Sequence, residues 1–482
     1  MKKYFLLISS VLISQFINGQ YHIDALRFSK ETLNGTARFM SMGGAFGSLG
    51  GNPSALNFNP AGVSVYTSSE FSFSFDFSDI ETSTKFHNTN VLSVDSKNSI
   101  PNLNYISANI FDPNEFGDWN RLNFAIGYNK LDDYNETTYI LANQNEHSLA
   151  SNFLNNAQGY YPENLNLFNE LLAFNTYLID TISGNNSTYF SYVDPLSEKN
   201  QSYYSIKSGQ KNEFYLTFGS AYKDKLFMGM TIGFPWIQFN QFSNISEYFI
   251  NDSVDSTNSN NIESFSYNSN LWVSGSGINL KLGLIYQIDE NLRYGFAIHT
   301  PTAFQIQEEF SSRLITSFQN NIFESESGLG FFDYDLSTPF KIMNSVSYIF
   351  DKKAILSIDY EYLDYSSLNL NSDFYSLSES NQDITYYYSV ASNIRIGGEF
   401  RIHPQFSLRG GYAYYGSPFL GMSERNIEVF SFGGGLRINQ YFLDFAVVNS
   451  FNEDIFSLYN SAPNSSITTS KNQITWTAGF KF

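Results

Sequence analysis

The chain has 482 residues, with 46 Asp and Glu against 27 Lys and Arg and a formal net charge of −19. An acid excess of that size excludes a nucleic-acid-binding protein, which needs the opposite sign. The absence of Cys excludes disulfides and thiolate metal sites, and 47 Phe with 34 Tyr supply the aromatic excess that the interface girdles of a membrane barrel use.

Residues 1–19 read as a secretory signal. Lys2 and Lys3 form its basic part, Tyr4–Ile13 its apolar part, and Gly19 offers a small residue for cleavage before Gln20. The apolar run is too short to span a bilayer as a helix, and no later stretch reaches the ~18 uninterrupted apolar residues a transmembrane helix needs. An exported chain without such a helix can reach the outer membrane of a Gram-negative cell. The following segment, 20–66, is dense in Gly and small residues and cannot build a core of its own. Gly43–Gly51 is followed by Asn52 rather than by a Lys-Ser/Thr pair, which argues against a phosphate loop. Asn59-Pro60 by itself is a turn signal.

From residue 67 onward the apolar residues alternate with period two. Around Asp351-Lys352-Lys353, for example, Ile342, Val346, Tyr348 and Phe350 share one face and Leu356, Ile358, Tyr360 and Tyr362 resume it. Strands are predicted at 69–78, 101–111, 120–131, 211–223, 225–240, 266–288, 291–307, 339–351, 353–366, 386–402, 405–416, 427–438, 441–451 and 470–482. About fourteen strands, an even number, joined alternately by short and long connections, describe an all-β antiparallel transmembrane barrel spanning 67–482. The short connections belong to the periplasm. The long ones, 79–100, 132–210, 241–265, 308–338, 367–385, 417–426 and 452–469, belong outside, and 132–210 is the longest.

Within that longest loop, Leu165, Phe168 and Leu172 fall near one face of a helix predicted over 162–178, with Pro162 in its first turn. They form either a cap on the barrel rim or an apolar surface that captures a hydrophobic ligand. Pro235 lies inside a predicted strand, where a residue without an N–H marks a bulge or edge, and so is a candidate kink or lateral exit. Facing the large apolar residues to lipid turns Lys281, Arg293, Asp359, Glu361, Arg395, Glu399, Arg401, Arg409, Arg437 and Asp444 into the lumen. Mixed signs there allow a salt-bridged wall or contacts to a plug. In the last strand Ile474, Trp476, Ala478, Phe480 and Phe482 share a face, and a final strand ending in Phe resembles the signal read by the barrel-assembly machinery.

Ala37-Arg38, Met42-Gly43-Gly44-Ala45 and Asn59-Pro60-Ala61-Gly62 just ahead of the first strand, with Arg409-Gly410-Gly411-Tyr412 and Ser417-Pro418 farther on, together resemble the FadL/TodX family of outer-membrane transporters for hydrophobic compounds. The wording is similar to a branch common in Bacteroidetes whose members are often labelled hemin receptors. The resemblance implies a fourteen-stranded barrel plugged by an N-terminal hatch at 20–66, with Arg38, Gly43, Gly44, Asn59, Pro60 and Ala61 among the hatch residues. It also implies capture of a hydrophobic ligand between extracellular loops, transfer to an apolar pocket, and release past a rearranged hatch, sideways beside a kinked strand.

The leading expectation is therefore passive uptake of hydrophobic small molecules, fatty acid-like or aromatic, by a monomer, with no chemical step and no cofactor. Its partners would be outer-membrane lipid and lipopolysaccharide, the ligand, and the assembly machinery. Hemin would need an axial His or Tyr, and the five His residues (22, 87, 147, 299, 403) show no pairing pattern. The alternative is a PorV-like component of type IX secretion that binds secreted proteins through its loops. A third reading, a barrel hydrolase, lacks an acid-base pair beside His299.

Overall fold

The computed structural model describes residues 21–86, 89–111, 118–145, 147–193, 198–249, 262–459 and 462–482. The predicted signal, with its cleavage point before Gln20, lies outside them. Fourteen antiparallel strands close into a barrel. They are β1 Glu70–Phe86, β2 Thr89–Ser107, β3 Trp119–Asp133, β4 Lys199–Tyr222, β5 Leu226–Phe249, β6 Ile262–Gln287, β7 Leu292–His299 continued by Ala303–Phe318, and β8 Gly330–Ser337 continued by Lys341–Phe350. The circuit goes on through β9 Ala354–Asp364, β10 Val390–His403, β11 Phe406–Tyr415, β12 Ile427–Ile438, β13 Tyr441–Ser457 and β14 Asn464–Lys481. β14 pairs with β1 from Lys481↔Glu70 to Ser466↔Lys85 and seals the barrel.

The periodicity that places the strands is visible as exposure. Phe73, Phe75, Leu282, Tyr286, Ile358, Tyr360, Phe430, Phe432 and Trp476 all point outward and exposed, as a wall facing hydrocarbon must. Tight turns close the periplasmic end, and Lys223, Asp224, Asp351, Lys352 and Asn439 take positive φ there, the backbone that matches a two-residue hairpin to the strand twist.

Several predicted loops are strands instead. The segment 79–100 is the upper part of a β1–β2 hairpin paired from Glu70↔Ile106 to Phe86↔Thr89, and β4, β5, β7, β13 and β14 also run well past their predicted extracellular ends. Above the bilayer both faces of a strand are wet, so the apolar alternation stops while the hydrogen-bond ladder continues. The predicted helix over 162–178 is likewise broken, into a 3-10 turn at Pro162–Asn164 and a helix at Glu170–Asn175, with a further helix at Leu149–Ala157 ahead of it. Asn166 accepts from the Phe168 N–H at 2.8 Å, the side-chain turn that competes with helix.

Candidate functional site

Residues 21–66 lie inside the barrel. Helix α1, Tyr21–Ser29, sits near the extracellular end, with Tyr21 against Phe332 and Tyr334 and His22 stacked on Tyr387. Helix α2, Ala37–Ser41, and two 3-10 turns, Pro53–Asn57 and Pro60–Val65, fill the lumen lower down and are almost wholly buried. Their local fold follows from capping: Thr36, Asn52 and Asn59 each accept a backbone N–H at the start of a turn, and Pro53 and Pro60 occupy first-turn positions.

Side chains on the inner faces of the strands fasten this lower part. Arg38 meets Glu399 at 2.9 Å, Arg409 meets the same carboxylate at 2.6 Å, and Arg409 also meets Asp444 at 2.7 Å. Asp359 accepts from the N–H groups of Phe46 and Gly47 at 3.1 and 3.0 Å. Arg395 pairs with Glu361 at 2.9 Å and lies over the Phe58 ring. Lys281 pairs with Glu213 at 2.6 Å and bonds Asn57, while Arg293 donates to the Leu49 carbonyl at 3.1 Å. His299 is buried against the Phe58 carbonyl at 2.8 Å. Two of the predicted lumen charges stand apart: Arg437 is half-buried over the Phe442 ring, and Arg401 is exposed at the register shift near the end of β10. Arg401 still pairs with Ser407 in the register of Glu399 and Arg409, and the shift follows it.

Gly43 and Gly44 both take positive φ, 61° and 78°. Gly43 donates to Ser431 Oγ at 3.0 Å, and the wall opposite it is also glycine: a Cβ on Gly411 would run into the Met42–Gly43 peptide. Gly283 gives the same clearance to the Asn59 amide. The sequence signal for this seat, glycine at inward positions of consecutive strands, was there to be read and was missed.

Asn59 carries three bonds. Its Oδ1 accepts from the Ala61 N–H at 3.1 Å, and its Nδ2 donates to the carbonyls of Gly47 at 2.6 Å and Leu284 at 3.1 Å. Asn59→Ala removes the cap and leaves two buried carbonyls short of a donor, so we expect a loss of about 2–4 kcal/mol in docking of residues 37–66. Trypsin cleavage after Arg38, blocked by burial in the native protein, measures it.

Above this seat are two cavities. The outer one, about 1050 Å³, is bounded by α1, Phe168, Phe310, Tyr387, Phe419 and Phe456. The inner one, about 310 Å³, combines Leu33, Ile80, Ile427, Val429 and Val448 with Lys30 and Lys471. Arg27 and Lys30 line both, so the end of α1 and the residues after it form the partition. Of the three loop residues singled out for capture, Phe168 borders the outer cavity and packs on Phe310 at 4.7 Å between ring centres. Leu165 and Leu172 are buried in the core of the extracellular loops with Phe153, Leu178 and Tyr189.

Among the described residues, the wall has a weak seam beside these cavities. β2 and β3 pair only from Asn102↔Asn129 to Ser107↔Phe124. Pairing stops at Pro101, which has no N–H to offer, and at a register shift in β3 between Lys130 and Asp132. Lys130 Nζ reaches across to Ser99 Oγ at 2.5 Å and Asp76 at 3.0 Å. The Thr32 N–H donates to the Leu131 carbonyl at 3.1 Å and its hydroxyl to Asp132 at 2.9 Å. At Pro235, by contrast, β5 keeps one register with β4 throughout and with β6 on both sides, and only the pairings of Phe234 and Pro235 to β6 are missing. Trp476 and Phe480 face outward on β14, Trp476 packed on Phe445 and Phe480 near Phe71, and Phe482 lies exposed just after the strand.

A family model for outer membrane protein transport proteins (OMPP1/FadL/TodX) matches residues 212–450. The chain belongs to the FadL/TodX family. A Pseudomonas aeruginosa FadL homologue superposes with TM-score 0.57 at 11% identity, over 94% of this chain and 99% of that one. The Pseudomonas putida toluene transporter TodX superposes with TM-score 0.52 at 14% identity, over 94% of this chain and all of its own. At these identities the likeness is one of fold. No curated protein matches the chain by sequence. As a FadL/TodX protein it is an outer-membrane channel for hydrophobic compounds.

Proposed function

We propose that the channel takes up an anionic amphiphile, a long-chain carboxylate rather than a neutral hydrocarbon, by binding and gating with no chemical step. The ligand is captured in the outer cavity beside Phe168, passes the end of α1, and enters the inner cavity. It leaves sideways at the seam between β2 and β3 when the hatch, residues 21–66, lets go of β3.

The composition of the inner cavity carries this reading. Its apolar wall suits an acyl chain; of its acids, Glu31, Glu136, Asp133 and Glu361 are paired with Lys341, Lys207, Lys130 and Arg395, and Asp132 accepts the Thr32 hydroxyl. Among the described residues, neither Lys30 nor Lys471 has an ion-pair partner within 4 Å. Burial lowers Lys30 to about 8, which still leaves it mostly protonated at neutral pH. Two available cations above an apolar pocket fit a carboxylate head.

The test is binding and uptake of a long-chain carboxylate against toluene by native protein and by Lys30→Met/Lys471→Met. We expect the variant to lose about tenfold or more in carboxylate affinity, the worth of a charged hydrogen bond, with toluene unchanged. Carboxylate affinity should also fall on raising the pH from 7 to about 9, as the free Lys30 loses its proton. Equal handling of the two ligands by native protein and variant would reject the anionic reading.

A further inference from the structure

The outer face of β6, β7 and β8 changes character at one level. Climbing β6 from the periplasm, the outward residues are Tyr286, Leu282 and Ile278, then Ser276, Ser274 and Trp272. At that same level β7 breaks at 300–302 and β8 at 338–340, each around a proline, Pro301 and Pro339. A short strand, Asn369–Asn371, pairs with β8 just above the break. The result is an outward-facing groove of about 500 Å³ set directly over the apolar band.

The register lines up its polar residues in rows. Ser276, Gln305, Asp335 and Asn371 stand side by side across four strands. Two residues higher, about 7 Å along the strands, Ser274, Gln307 and Asp333 repeat the order. Trp272 and Phe331, both well exposed, close the top. Among the described residues, none exchanges a hydrogen bond with the side chains of either row. No Lys or Arg stands in these rows, so the face is a poor match for phosphate. Hydroxyl, amide and carboxylate groups offered in parallel, with aromatic faces at one end, suit a polyhydroxyl surface, whose hydroxyls both donate and accept.

We propose that this face binds the sugar head-group of an outer-leaflet glycolipid. The occupant follows from orientation: the rows continue the lipid-facing parity of Ile278 and Leu282, so they look sideways into the layer immediately above the hydrocarbon. In an outer membrane that layer holds lipid-attached sugar, and Ile278 and Ala303 below the rows keep the acyl chains in contact with the wall.

The test uses full-length protein in detergent, with EDTA present, and fluorescently labelled lipopolysaccharide carrying an intact sugar core against lipid A lacking it. Native protein should bind the sugar-bearing form at least about tenfold more tightly, the sum of a few neutral hydrogen bonds. Gln305→Ala/Asp335→Ala should abolish that preference while keeping the heat-dependent gel shift of a folded barrel. Gln307→Ala/Asp333→Ala, in the wetter upper row, serves the same purpose if the first variant fails to assemble. Equal binding of the two probes, a preference that appears only when divalent cations replace EDTA, or a folded variant that keeps the preference would each overturn the proposal.

Discussion

Glu399→Ala should unseat the hatch and leave the barrel standing. Glu399 is the shared acceptor for Arg38 of the hatch and Arg409 of β11, and it is nearly buried. Without it two guanidinium groups face one another, with Asp444 alone to balance them, and removing one partner from a buried ion pair costs about 3–5 kcal/mol. Arg38 would retain only a long bond to the Gly51 carbonyl at 3.4 Å and its position over the Phe46 ring. We expect open-channel conductance in planar bilayers where the native protein is quiet, together with trypsin cleavage after Arg38. Arg38→Ala should be milder, because Glu399, Arg409 and Asp444 stay paired. A Glu399→Ala protein that stays closed and protease-resistant, or an Arg38→Ala protein that is the worse of the two, would mean that this network does not hold the hatch.

That ranking could not have come from the sequence. Parity alone placed Glu399, Arg409 and Asp444 in the lumen, because a charge on the lipid face is expensive at mid-membrane. It could not show that Arg38, far ahead of the first strand at Glu70, completes the cluster. The strand rhythm was legible inside the bilayer, where one face must be apolar, and illegible above it, where 79–100 looks like a loop and is a hairpin. Arg401 keeps the register of Glu399 but is exposed at the end of its strand, so parity gives a face and not a burial. A proline inside a strand predicts a local gap, and one is present at Pro235; a second accompanies Pro101, which the strand pattern did not single out. Pro235 interrupts two pairings inside an otherwise continuous ladder, whereas Pro101 coincides with a shift in its neighbour β1 between Ser74 and Asp76 and with the end of the β2–β3 pairing. Only the three-dimensional register distinguishes a proline the sheet absorbs from one at which it parts.

The seam at Pro101 yields the second large effect. The lateral release we propose would need β3 to move away from β2 near Lys130, and residues 21–66 would oppose this through Thr32, which holds the Leu131 carbonyl and the Asp132 carboxylate. One neutral and one charge-assisted hydrogen bond are worth a few kcal/mol together, enough to keep a seam shut and little enough for ligand binding to overcome. The chain has no Cys, so Thr32→Cys/Asp132→Cys can be joined by a short thiol-reactive bis-thiosulfonate, which forms reducible disulfides with loss of sulfinate and has no other thiol to modify. Both positions line the inner cavity, so binding is compared with the double variant before crosslinking; the joined protein should still capture ligand at the outer aromatic wall of Phe168 and Phe310, and its uptake should fall to background until a reductant restores it. Uptake at the native rate through a crosslinked seam would place the exit elsewhere and separate release from the hatch contact at Thr32.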